Sequence, residues 1–386
     1  MADASIVIPA FRNHGLRETL ASLLEVDPGG VDAEIIVVLN GATNEVKAIA
    51  AEYEPDVTVV DMPVNLGVAG AFNHGFGVGT GRYLVQMQDD AQVEPGWLGL
   101  LVDAVESAPD IGAAGALNVN HAGEVRDAGW VVWRDGTASP GLIDGALDPA
   151  SYLERRVIDE HGSAGMLIRR IAWESVGGLD DSFYPAYYGD ADLCWRLRGR
   201  GWRLLLEPRS HVRHTGSAST SEAFRAFLLD RNRERFLGIH GDSLAAHGER
   251  SYDPADVTRE VLRAADVEPG PAPDPPSAAE LELLGHRLGR NPLEFAQRER
   301  EALTAFSEHL SRQLDEQRGN SEQHAAELDR SRGLVEAQFA EELRELEERL
   351  RVAETRAHRI VTSTSWRVTA PLRAVAARLR RGRKTG

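Results

Sequence analysis

Short runs of β-branched and apolar residues alternate with amphipathic stretches through residues 1–118. SIVIPA, EIIVVLN, VTVVDM, YLVQMQ and IGAAGAL predict strands, and 14–25, 44–53, 69–78 and 96–107 predict helices between them. Alternating units of this kind imply an α/β fold with a mostly parallel sheet and helices on both faces. On such sheets ligands bind at the carboxyl ends of the strands. Pro9-Ala10-Phe11, Asn40-Gly41, Asn65 and Asp89-Asp90 all fall at predicted strand ends, so they are expected to converge on one crevice.

From 119 to 160 the alternation stops. NVNHAGEVRDAGWVVW predicts a hairpin with Ala122-Gly123 near its turn, followed by an irregular loop rich in Gly, Asp and Pro. GSAGMLIRR then returns as a strand, 172–177 and 189–200 as helices, WRLLLE as a strand, and SEAFRAFLLDRNRERFLGI as an amphipathic helix packing back on the domain. This organisation puts a catalytic-type domain at 1–240 and a Pro-rich linker at 241–279.

Beyond the linker the composition shifts to Glu, Arg, Leu, Ala and Gln. Phe339, Leu343, Leu346, Leu350, Ala353, Ala357 and Ile360 step by 4, 3, 4, 3, 4 and 3, an a/d seam that predicts a coiled coil within a helical segment at 280–361. A single solvated helix is the competing reading. Residues 362–386 form a basic tail in which Leu372, Val375 and Leu379 share one helix face. A basic amphipathic helix suits an anionic membrane surface, and a solubilising or partner-docking tail is the alternative.

Charge narrows the partners. The net charge of -17 argues against nucleic acid, whose phosphates need a basic surface. The lone cysteine, Cys194, excludes an internal disulfide and reads as a buried thiol in a helix. No apolar run approaches the ~20 residues needed to cross a bilayer, and no leader peptide is evident, so the expectation is a cytoplasmic protein, soluble or peripheral on the inner membrane face.

Four segments carry candidate chemistry. Asp89 and Asp90 follow a buried strand, where a divalent cation would offset their repulsion; Mg²⁺ or Mn²⁺ suits such oxygen donors. Two solvated turn carboxylates are the plainer alternative. Asp190 and Asp192 open a predicted helix, where one aspartate is explained by capping and the other is free to act as a general base. His214, after the WRLLLE strand, could add an imidazole to a metal site, which tilts the choice toward Mn²⁺. The stretch from Asn65 to Ala71 opens a helix with small residues and N-terminal amides that favour anions. It is not GxGxxG, and neither a GxxxxGK[ST] loop nor a GxSxG elbow occurs.

In this order, SIVIPAFRN, NLGVAGAFNHG, the Asp-Asp strand end, the block GSAGMLIRR to GDADLCWR and the trailing histidine resemble a family 2 glycosyltransferase of GT-A fold over residues 4–240. NLGVAGAFNHG is similar to the subgroup using dTDP-rhamnose or UDP-galactofuranose. The tail SWRVTAPLR resembles a segment of bacterial polysaccharide glycosyltransferases. The resemblance implies a nucleotide-sugar site at Pro9, Ala10, Phe11, Asn40, Asn65, Gly67, Asn73 and Asp89, with metal ligands Asp89, Asp90 and His214. It implies Asp190 as catalytic base and Asp192 and Trp195 in the acceptor site. The activity implied is an inverting, metal-dependent hexosyl transfer to a hydroxyl of a bacterial cell-surface glycan or lipid-linked acceptor, and the heptad seam adds the expectation of a homo-oligomer through the coiled coil. Two positions depart from the family: Leu39-Asn40-Gly41 replaces the usual acidic strand end that reads the base, and Gly189 replaces a Glu. A non-catalytic scaffold and a sugar nucleotidyltransferase are the rival readings.

Overall fold

The computed structural model describes residues 2–12, 15–140, 154–214, 220–276 and 292–318, together with Ala337, Arg344, Glu348 and Arg351. The chain divides into two units, Met1–Asn291 and Pro292–Gly386.

The first unit opens with β1 (Ala4–Ala10), α1 (Leu16–Glu25), β2 (Ala33–Asn40), α2 (Asn44–Glu52), β3 (Thr58–Met62), α3 (Gly67–Val78) and β4 (Tyr83–Gln86). Next come β5 (Ala91–Val93), α4 (Trp97–Glu106), β6 (Ile111–Val119), β7 (Val125–Asp127), β8 (Trp130–Val132) and β9 (Ala138–Pro140). The unit continues with β10 (Arg156–Val157), β11 (Met166–Arg169), α5 (Arg170–Val176), α6 (Gly189–Gly199), β12 (Arg203–His214), α7 (Glu222–His240) and α8 (Pro254–Ala265). The second unit contributes α9 (Pro292–Arg318).

The core is mixed α/β and Rossmann-like, as the GT-A resemblance implies. The sheet order is β10-β12-β6-β11-β4-β1-β2-β3, with β5 on β12 and β7 on β6. β1 runs parallel to β2 and β4, and β2 to β3, so their carboxyl ends share one edge. β11 is antiparallel to both β4 and β6, which makes the sheet mixed. The inner strands are apolar on both faces, with Val7, Ile8, Ile36, Val37, Leu84 and Val85 fully buried. Each such side chain stabilises the fold by about 1.5–3 kcal/mol.

Local chemistry sets the helix ends. Thr43 caps α2 by accepting from Val46 N–H at 3.4 Å, and Asp253 caps α8 ahead of Pro254. α3 lies close on β1 because Gly75 has no side chain; a Cβ there would collide with Val7.

β12 is longer than the WRLLLE run. It pairs parallel with β6 from Arg203 to Glu207, bulges over Pro208–Ser210, and resumes from His211 to Arg213. Its end turns to pair antiparallel with β5, setting His214 opposite Ala91.

The stretch 241–279, expected as a linker, contains packed structure up to Gly270. A 3₁₀ turn spans Gly241–Leu244, and α8 buries Val257 and Val261 against Val131 and Trp133. Gly270 N–H donates to Asp110 Oδ2 at 2.8 Å. The physical reason is a capped helix with an apolar stripe at four-residue spacing, which finds a partner on the β8 strand.

α9 buries Phe295, Ala302, Leu303 and Phe306. The heptad seam from 339 to 360 and the basic tail at 362–386 lie outside the described residues. Among the described residues no helix is long and apolar enough to cross a membrane.

Candidate active site

Asp89 and Asp90 lie between β4 and β5, beyond the carboxyl end of the central strand. His214 Nε2 stands 3.1 Å from Asp90 Oδ1, carried there by the β5–β12 pairing. Burial and the neighbouring Asp90 push Asp89 up to about 7, while the backbone N–H of Phe11 and the His214 ring oppose the rise. So the end of β1 lies against Asp89, and the two carboxylates repel across the crevice. A divalent cation fits this donor set: one carboxylate and one imidazole face each other beside a second carboxylate, Asp89. Among the described residues no group of three such side chains forms a preassembled cage, so diphosphate oxygens or water would complete the shell.

Asp190 sits in the first turn of α6. Burial pushes it up to about 6, opposed by Ser163, through its hydroxyl and N–H, by the His161 ring and by the Gln86 amide. Ser163 also accepts a hydrogen bond from Gln88 Nε2. It therefore ties the Asp190 side of the crevice to the segment that carries Asp89. The loop before α6 is strained: Tyr187 and Tyr188 have φ of 70° and 65°. Asn232 of α7 holds it, donating from Nδ2 to the carbonyls of Phe183, Ala186 and Tyr187 at 3.3, 2.9 and 3.0 Å.

Asp89, Asp90, His214, Asp190, the β1 end and Gly67 thus share one edge of the unit. Gly67 has a φ of 67°, and a Cβ there would stand 2.8 Å from the Pro185 carbonyl. Only glycine allows this close approach of α3 to the loop that leads to Asp190.

Other expected site residues have their polar atoms engaged within the fold. Asn40 is 4% exposed; its Oδ1 accepts from Leu66 N–H at 2.6 Å, and its Nδ2 reaches Asn65 Oδ1 and Gly67 O at 3.1 and 3.2 Å. Both amide hydrogens are engaged, so Asn40 clamps the start of α3. Asn65 Oδ1 also accepts from Gly67 N–H at 2.8 Å. Asn73 brackets Leu179, donating to its carbonyl at 2.8 Å and accepting from its N–H at 2.9 Å.

Asp192 and Trp195, expected in the acceptor site, also have their polar atoms engaged within the fold. Two residues along a helix is about 200°, so Asp192 points opposite to Asp190. It is buried and held by Arg196 Nε at 2.7 Å and His240 Nε2 at 2.9 Å, which keep its carboxyl below the usual range. Trp195 donates to Ser243 Oγ at 3.1 Å and packs edge-on against Phe236. Asp192→Ala should therefore destabilise the fold by about 3 kcal/mol, because it strands the Arg196 charge. Urea unfolding tests this; unchanged stability would return Asp192 to the candidate acceptor site.

Gln86, Glu160, His161 and Ser163 surround Asp190 and were not singled out from the sequence. Gln86 alone left a signal, as the polar residue in the buried run YLVQ. Cys194 is a free, buried cysteine, in line with the reading of a structural thiol.

Residues 5–136 match the family model for Glycosyl transferase family 2. The chain is 31% identical over 229 residues to "Uncharacterized protein y4gI" of Sinorhizobium fredii, covering 56% of this chain and 24% of that protein. It is 25% identical over 232 residues to an N-acetylglucosaminyl-diphospho-decaprenol L-rhamnosyltransferase of Mycobacterium tuberculosis, covering 53% of this chain and 73% of the relative. Among solved structures, GalNAc-T7 with UDP, GalNAc and Mn²⁺ aligns with a TM-score of 0.49 at 16% identity, over 67% of this chain and 54% of that one.

Proposed function

We propose that this chain, which carries a glycosyl transferase family 2 segment over residues 5–136, is an inverting, metal-dependent glycosyltransferase. It moves a sugar, rhamnose or galactofuranose, from a nucleotide donor to a hydroxyl of a bacterial cell-surface glycan or a lipid-linked acceptor. The observation that carries this reading is Ser163, which ties Asp190 to the segment holding Asp89 and Asp90. It joins a buried general base to a place for a diphosphate. The 25% identity to a mycobacterial rhamnosyltransferase supports rhamnose as the sugar.

The acceptor hydroxyl approaches Asp190, which takes its proton as the oxygen attacks the anomeric carbon. The new C–O bond forms as the bond to the diphosphate oxygen breaks, and the nucleoside diphosphate leaves from the opposite face. One such displacement inverts the anomeric centre. Asp90 and His214 would hold Mn²⁺ or Mg²⁺, which supplies charge stabilisation to the departing diphosphate. Asp89 and the β1 end line the nucleotide side. The domain 1–240 performs the transfer, the coiled coil pairs copies, and the basic tail sets the enzyme on the anionic inner membrane face.

Thermal unfolding with UDP, dTDP, GDP and their sugars, with and without Mn²⁺, tests this. A ligand at 100 times its dissociation constant adds ~2.7 kcal/mol to folding. One nucleotide should stabilise the chain only with Mn²⁺, and Asp90→Asn should remove that dependence. No shift with any nucleotide would favour a non-catalytic scaffold, and release of pyrophosphate instead of a nucleoside diphosphate would favour a nucleotidyltransferase.

A further inference from the structure

Buried polar atoms without a partner gather at one place beside Asp190. Gln86 is fully buried and its amide faces the Asp190 carboxylate, yet neither its nitrogen nor its oxygen makes a hydrogen bond of normal geometry among the described residues. Asp190 Oδ1 and Glu160 Oε2 share that condition. Folded chains leave few such atoms, since each costs about 1–3 kcal/mol, and a cluster of them marks a polar ligand or its water.

Glu160 opens the segment that encloses Asp190. Its carbonyl accepts from Trp130 N–H at 3.0 Å, and His161 and Ser163 follow it against the base. The charged groups acting on Glu160 are Asp190, Asp127 and Asp159, all carboxylates, and with burial they hold it well above the usual carboxylate range. Asp127 and Asp159 are engaged elsewhere. Asp127 accepts from Trp130 Nε1 at 2.7 Å and Gly129 N–H at 2.8 Å, while Asp159 pairs with Arg198 at 2.8 Å and with Arg263. Glu160 Oε2 is left without a hydrogen-bond partner among the described residues, in the field of the Asp190 carboxylate.

We propose that Glu160 is a second acceptor-contacting side chain, whose carboxylic acid donates a hydrogen bond to the acceptor hydroxyl adjacent to the one that Asp190 deprotonates. The inference rests on the transferase reading and deepens it, because it specifies the acceptor end as a neutral vicinal diol. One hydroxyl gives its proton to Asp190, and its neighbour accepts from Glu160. A uronate or phosphate at that position would lie beside the Asp190 carboxylate and be repelled by its charge.

Two measurements on the full chain test this. In the infrared difference between the parent and Glu160→Gln at pH 7, the parent should show a protonated-carboxyl C=O band that the variant lacks. A carboxylate band alone overturns the proposal. With dTDP-rhamnose or UDP-galactofuranose, Mn²⁺ and methyl α-L-rhamnopyranoside as probe acceptor, Glu160→Ala should raise the acceptor KM by about tenfold with the donor KM unchanged. Glu160→Gln, which keeps a neutral donor, should recover most of that loss. An active parent with an unchanged acceptor KM in Glu160→Ala sinks this proposal alone. A parent that releases no nucleoside diphosphate with either donor counts against the transferase reading, and the diol assignment falls with it.

Discussion

Asp190→Asn should abolish transfer and stabilise the fold at neutral pH. The carboxyl titrates at about 6 in the folded chain, against an ordinary value of 3.8, chiefly because burial disfavours its charge. Between these values the folded chain holds a proton that the unfolded chain has released, so stability falls as pH rises from about 4 to 6. Above that window the full cost is present, on the order of 2–3 kcal/mol. Asparagine cannot ionise, so the variant should gain that amount at pH 7 and nothing near pH 3. Loss of a general base should lower kcat by roughly 10²–10⁴-fold. In the parent the same titration should give kcat/KM an acid limb near pH 6. Urea unfolding at both pH values, beside a nucleotide-release assay, decides. Retained transfer would remove Asp190 from the chemistry, and unchanged stability would mean that water reaches its carboxylate freely.

Asn232→Ala should be the most damaging change at a distance from the reacting atoms. Asn232 is fully buried, and one amide group serves three carbonyls in the loop 183–187. Two left-handed tyrosines in succession cost on the order of 1–3 kcal/mol each, and such a conformation persists only when its surroundings enforce it. Without the amide those carbonyls lose their donor, so the fold should lose about 3 kcal/mol. The loop leads directly into α6, whose Asp192 N–H bonds the Tyr188 carbonyl at 2.9 Å, so a relaxed loop moves Asp190. We expect kcat to fall about tenfold while Mn²⁺-dependent nucleotide binding survives, because Asp89 and Asp90 stand on other elements. Asn232→Asp, which keeps the volume but removes the donor, should behave alike. If nucleotide binding falls in step with kcat, the residue supports the whole unit and not the base.

Much of this was legible in the chain. Runs such as SIVIPA and EIIVVLN are buried strands because their β-branched residues fill both faces of an inner sheet. The break of YLVQMQ into Asp-Asp marked a strand end at the crevice. What escaped reading was side-chain partnership. Asp192 looked like a second functional carboxylate because His240, which holds it together with its i+4 neighbour Arg196, cannot be placed beside it without the α6–α7 packing. Asn40 and Asn73 were expected as ligand contacts from the resemblance, and that resemblance gave no sign that each also fastens a turn. Glu160 fell in a stretch without periodicity, and its importance arises only from neighbours brought from β7 and α6. Helix α8 was readable, through Asp253-Pro254 and the spacing of Val257 and Val261, but the flanking prolines argued for a linker.

The bulge in β12 has a further consequence, for how this edge of the unit tolerates change. Alternating side chains make register absolute within a strand, so one inserted residue normally turns every later side chain to the other face. Here Pro208–Ser210 stand between two separately paired halves. The first half pairs with β6 deep in the sheet, and the last residues pair with the end of β6 and with β5, which sets His214 opposite Ala91. An insertion or deletion confined to the bulge can therefore be absorbed without dislodging either neighbour, whereas one between His211 and His214 cannot. The segment works as an expansion joint: it can take up a change in chain length while the imidazole keeps its address.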